Sequence, residues 1–161
     1  MSNFDAAFTD LLKAVVEAGV DFVLIGGWAL PVHGVGRATF DVDIVPDPSR
    51  ENLTRLAKLL DRLDAHVPGA DPTQNPLAVE ALSSGVTVKA LTRLGELHVV
   101  QGQPGIPPYS ELHGRSIELE VEDVAFRVCS YDDLIAMKEA TGRPQDEIDI
   151  TDLRRARGEA D

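Results

Sequence analysis

Asp41 and Asp43, in the stretch Arg37-Ala38-Thr39-Phe40-Asp41-Val42-Asp43-Ile44, are the side chains whose type and spacing could do chemistry. Side chains alternate along a strand that rises about 3.3 Å per residue. Arg37, Thr39, Asp41 and Asp43 therefore share one face, and Phe40, Val42 and Ile44 share the other. Two carboxylates this close suit divalent metal ions about 3.5–4 Å apart, an arrangement used for phosphoryl chemistry. Just upstream, an apolar run ends at Ile25 and passes directly into Gly26-Gly27. Glycines at a strand-to-helix turn let backbone approach a ligand closely, and the free N–H groups of a helix start favour phosphate. Neither a G-x-x-x-x-G-K-[ST] loop nor a G-x-G-x-x-G fingerprint is present, since His33-Gly34-Val35-Gly36 does not continue the second pattern.

The elements that must hold these residues can be read from periodicity. Phe4, Phe8, Leu11, Leu12, Val15 and Val16 predict an amphipathic helix over 3–18 that stops at Gly19. A buried strand is expected over 21–25 and a helix over 28–33, with the acidic strand next. Asp47 as cap and Pro48 in the first turn predict a helix whose stripe is Leu53, Leu56, Leu60 and Leu63. A short helix over 75–83 and a hairpin pairing 86–91 with 96–100 follow. Residues 101–115 read as loop with at most one helical turn. A second hairpin pairs 116–121 with 124–128, Ser130 and Asp133 form a capping box for a helix ending at Thr141, and Pro144 opens the last helix. This order predicts an α+β fold with a small mixed sheet flanked by helices.

Composition narrows the partners. The 161 residues, 43% hydrophobic and 26% charged, suit one domain spanning 1–161. The formal net charge of −12 opposes encounter with nucleic acid or an anionic membrane unless a local basic strip or bound cations compensate. Arg143, Arg154, Arg155 and Arg157 are the candidates for such a strip. One cysteine, Cys129, allows no internal disulfide, which suits a reducing cytoplasm, and neither a secretion signal nor a membrane span is expected.

Gly26-Gly27-Trp28 followed by Arg37-x-Thr39-x-Asp41-x-Asp43 resembles the nucleotidyltransferase superfamily with the polymerase-β-like fold. The C-terminal stretch from Lys138 to Asp149, with its lysine and its Asp146-x-x-Asp149, is similar to elements of AbiEii-type toxins of toxin-antitoxin systems. The resemblance implies Mg²⁺ held by Asp41 and Asp43, NTP phosphates held by Gly26 and Gly27, and Lys138 as a mobile cation for the triphosphate. Arg37, beside Thr39, would orient the aspartates or touch phosphate. Asp149 or Asp146 would position Lys138 or deprotonate an acceptor hydroxyl. The acceptor would be tRNA or other RNA, a protein or a small molecule, and an antitoxin protein would be a further partner. Lincosamide and aminoglycoside nucleotidyltransferases begin similarly and are the alternative enzyme reading; a catalytically silent nucleotide- or partner-binding domain is the other. One departure stands out. Where the superfamily pattern expects a third carboxylate, this sequence has His98, with Glu96 two residues away on the same strand face. Trp28 and His33 are expected to pack.

Overall fold

The computed structural model describes residues 6–36 and 41–159. Its sheet grows outward from β1 (Phe22–Ile25), whose four side chains are all apolar and all buried, as befits a strand covered on both faces. β1 pairs antiparallel with β2 (Asp41–Pro46) and parallel with β6 (Val124–Val128). On the far side of β2 lies β4 (Gly95–Val99), which runs parallel to it. Two hairpins complete the edges, β3 (Val88–Thr92) against β4 and β5 (Ile117–Val121) against β6. The result is a six-stranded mixed sheet in the order β3-β4-β2-β1-β6-β5, the α+β arrangement that the sequence predicts.

Helices cover this sheet by burying single stripes. α1 (Ala6–Glu17) buries Phe8, Leu11, Leu12 and Val15 and packs against β4, β6 and α3 (Arg50–Arg62). Each such aliphatic side chain removed from water contributes about 1.5–3 kcal/mol before entropy is counted. α3 buries the predicted leucines, but its cap is Ser49, whose Oγ accepts from the Asn52 N–H at 3.2 Å, and not Asp47. Asp47 instead accepts from the Ser49 N–H at 3.0 Å, so Pro48 precedes the helix rather than starting it. Fully buried Asn52 then ties α3 to the sheet: its amide donates to the carbonyls of Asp21 and Asp47, and its Oδ1 accepts from the Asp21 N–H.

The strand-to-helix junction is tighter than a simple helix start. A 3₁₀ turn over Gly26–Trp28 leads into the short α2 (Ala29–Val32), with Trp28 stacked on Phe8 at 4.3 Å between ring centroids. His33 packs too, its Nε2 lying 3.0 Å from the Cys129 carbonyl oxygen. Burial pushes the Cys129 thiol up to about 12, which leaves it an inert core residue. Two further expectations need correction. The helix placed over 75–83 shrinks to α4 (Val79–Leu82) because 76–78 form turns. Conversely, the stretch read as loop holds α5 (Tyr109–Arg115), which starts once the run of prolines ends at Pro108 and buries Leu112.

α6 (Tyr131–Thr141) and α7 (Pro144–Ala156) pack on each other. Ser130 Oγ accepts from the Asp133 N–H at 3.0 Å, and Gly142, at φ 62°, closes α6 in the left-handed region that glycine tolerates. No helix among the described residues is long and apolar enough to cross a membrane.

Candidate active site

Register assembles the site. β2 against β4 puts Asp41 beside Glu96 and Asp43 beside His98, and β4 against β3 puts Lys89 beside His98. Because alternation sends Val42, Leu97 and Ala90 into the core, the other face of three adjacent strands presents Asp41, Asp43, Glu96, His98 and Lys89 together. Gly26 makes room for this. It has φ 77°, and a Cβ built there would collide with the Asp43 carboxylate, standing 2.9 Å from its Cγ. Of the glycine pair, Gly26 lines the cleft over Asp43, and Gly27 is not among the described residues that do.

His98 stands where the third carboxylate was expected. Its Nδ1 lies 2.9 Å from Asp43 Oδ1 and 3.3 Å from Asp41 Oδ2, while Nε2 lies 2.9 Å from Glu96 Oε1. The Asp43 contact is a close ion pair, and the buried Asp43 Oδ1 has no aligned hydrogen bond among the described residues. Glu96 thus contacts the imidazole at Nε2, whereas the aspartates contact it at Nδ1. Contact with the Asp43 carboxylate, and secondarily with Glu96, outweighs burial and raises the His98 pKa to about 9. Asp43 is shifted upward, chiefly by burial and further by the Asp41 charge, with His98 acting against the shift.

A pH dependence follows. Since the folded pKa of His98 lies above its ordinary value of about 6.5, its stabilisation is fully present below that value and is lost as pH rises through about 9. Urea denaturation without divalent metal should show a loss on the order of 2 kcal/mol between pH 6.5 and 9. His98→Gln should flatten that segment, and an unchanged slope in the variant would place its source elsewhere.

The C-terminal residues form a neighbouring cluster. Lys138 is 8% exposed, with Nζ 2.8 Å from Asp149 Oδ2 and 3.6 Å from Asp146 Oδ1. Asp149 also accepts from Gln145 Nε2 at 3.0 Å, and at 1% exposure it faces Lys138 rather than the open cleft. Asp146 accepts from the Arg143 backbone N–H at 3.2 Å and from Arg143 Nε at 3.0 Å. Burial acts to raise the Asp146 carboxyl, but these bonds together with the Arg143 and Lys138 charges hold it below the usual carboxylate range. Lys138, the expected mobile cation, lies here between two buried carboxylates. Arg37 and Thr39 lie outside the described residues.

A cleft of about 360 Å³ joins the two clusters, with Lys89, Lys138 and Arg143 as its cations. Lys138 and Arg143 are ion-paired, whereas Lys89 makes no ion pair with any described residue. Sequence reading passed over Lys89, although period-2 alternation across the β3–β4 hairpin puts it on the face of His98.

This sheet, with the aspartate pair on β2 and helices α6 and α7 at the C-terminus, is the polymerase-β-like nucleotidyltransferase fold. Residues 5–154 match the family described as "Nucleotidyltransferase of unknown function (DUF6036)", and the chain belongs to that family. Among solved structures, the lincosamide antibiotic adenylyltransferase LnuA bound to lincomycin has a TM-score of 0.63 at 16% identity, covering 95% of this chain and 98% of that one. ANT(2")-Ia in complex with adenylyl-2"-tobramycin has a TM-score of 0.58 at 16% identity, covering 93% and 88%. TM1012 of Thermotoga maritima also scores 0.58, at 11% identity and 92% coverage of each chain. At these identities the likeness is one of fold. No curated protein matches the chain by sequence.

Proposed function

We propose that this chain transfers a nucleoside monophosphate from an NTP to a hydroxyl of a small cationic acceptor. The observation that carries the reading is the Asp41, Asp43 and His98 cluster at one end of a cleft whose Lys89 makes no ion pair with any described residue, in a chain of a nucleotidyltransferase family. Two aspartate oxygens and an imidazole nitrogen converge, and Asp43 Oδ1 lacks a hydrogen-bond donor, so the donor set fits a divalent cation held by Asp41 and Asp43. Bound there, such an ion would neutralise charge on the transferred phosphoryl group. Gly26 keeps side-chain bulk away from Asp43. Lys89 takes the phosphate-binding role that sequence reading gave to Lys138, while Asp149 and Asp146 fix Lys138 in the cleft wall.

The net charge of −12 favours a cationic acceptor and disfavours a polyanion. Three of the four arginines that RNA would need are in ion pairs: Arg143 with Asp146 at 3.0 Å, Arg154 with Glu139 at 3.4 Å, and Arg157 with Asp132 and Glu159 at 3.7 Å. Similarity of fold to antibiotic adenylyltransferases points the same way. A toxin-like transfer to tRNA or protein, with an antitoxin partner, is the second reading; it rests on the order Lys138, Asp146, Asp149 in the C-terminal helices.

Incubation with each labelled NTP, a divalent metal and a panel of aminoglycosides, lincosamides, tRNA and proteins tests the proposal. Label should move to a small cationic molecule. Label on tRNA or protein would favour the toxin-like reading, and no transfer to any acceptor would favour a silent nucleotide-binding domain. Within the same assay, Lys89→Ala should raise KM for NTP roughly tenfold with kcat little changed, the mark of lost phosphate binding.

A further inference from the structure

We propose that His98 is itself a metal ligand, positioned by Glu96, and that the site therefore takes a first-row transition dication such as Mn²⁺ in preference to Mg²⁺. This rests on the nucleotidyltransferase reading of the same site and specifies the ion it uses. Neighbouring ligands of one octahedral ion at about 2.1 Å stand about 3 Å apart. His98 Nδ1 stands 2.9 Å from Asp43 Oδ1 and 3.3 Å from Asp41 Oδ2, separations that match neighbouring ligands of a shared ion. The three donors all lie within 4.8 Å of one another.

Orientation supports the same assignment. Glu96 can only accept when ionised, so the contact of 2.9 Å at Nε2 places a hydrogen on that nitrogen and leaves Nδ1 aimed at the two aspartates. The two carboxylate oxygens and Nδ1, which offers a lone pair once its proton leaves, then converge on one point, where Asp43 Oδ1 has no hydrogen bond among the described residues. In the metal-free chain a proton on Nδ1 meets the same need. A carboxylate behind a ligating imidazole is the usual way of fixing its ring and raising its basicity. Mg²⁺ prefers all-oxygen surroundings and gains little from an imidazole, whereas nitrogen donors favour the transition dications. Three protein atoms on one side also leave positions for triphosphate oxygens. Glu96 is thus a positioning residue. Its role differs from the substitute third carboxylate that its place in the sequence suggests.

Mn²⁺ added to the nucleotide-free protein, followed by pulsed electron paramagnetic resonance, tests this without any activity measurement. The wild type should show modulation from one imidazole ¹⁴N, and Mg²⁺ should displace Mn²⁺ only at about tenfold or greater excess. His98→Asp should bind Mn²⁺ without nitrogen modulation and should bind Mg²⁺ more tightly than the wild type. Glu96→Gln should retain the nitrogen signal with Mn²⁺ affinity lowered by roughly 10-fold. Mn²⁺ bound to the wild type without nitrogen modulation, or displaced by equimolar Mg²⁺, would overturn the proposal and leave nucleotidyl transfer standing. Failure to bind either ion, with or without NTP, would overturn both.

Discussion

Asp43→Asn is expected to lower nucleotide transfer on the order of 10³-fold while leaving the protein as stable as the wild type or slightly more stable. The two halves of this expectation have separate causes. Asp43 is the more enclosed of the two aspartates, with a side chain 21% exposed against 33% for Asp41, and its carboxyl is shifted upward chiefly by that burial. Its ionised form is therefore disfavoured by the fold, and removing the charge relieves both desolvation and repulsion from Asp41. His98 keeps Asp41 and Glu96 as partners. Function suffers because an amide cannot replace a charged ligand for the ion. Steady-state transfer and thermal melting, run on one preparation, check both halves; a variant that melts well below the wild type would show that Asp43 serves the fold.

Lys138→Met is expected to do the reverse, with its main effect on stability. Removing this buried cation takes the Lys138 contact from both Asp149 and Asp146, and breaking a buried pair from one side costs roughly 3–5 kcal/mol. The double variant Lys138→Met, Asp149→Leu should recover much of that loss, because the carboxylate that Lys138 faced is removed along with it. Urea denaturation of the two variants gives the comparison. If Lys138→Met unfolds like the wild type and instead loses affinity for NTP, the lysine meets substrate and the mobile role inferred from sequence is the right one.

The aspartate pair, the strand that holds it and the glycine turn before it were legible because each depends on local pattern: alternation, an apolar run, a positive φ. Hairpins and the Ser130 cap were legible for the same reason. α5 was hidden by Pro104, Pro107 and Pro108, which read as loop although the last of them simply precedes the helix. Moving the α3 cap from Asp47 to Ser49 required knowing that Asn52 would anchor to Asp47 and, across 31 residues, to Asp21. The same limit applied to the site. That His98 replaces an expected carboxylate was visible in sequence, but its grip on both aspartates depends on the parallel register of β2 and β4. The contacts of Lys138 with Asp146 and Asp149 were not legible either, because they come from two turns of a different helix.

Calorimetric titration of a non-hydrolysable NTP analogue, with and without Mn²⁺ or Mg²⁺, tests most directly whether Asp41 and Asp43 form a metal-dependent nucleotide site. The wild type should bind the analogue tightly only when a divalent ion is present, and in Asp41→Asn and Asp43→Asn the ion should no longer improve binding. Equal metal-dependent binding by the wild type and both variants would contradict the account.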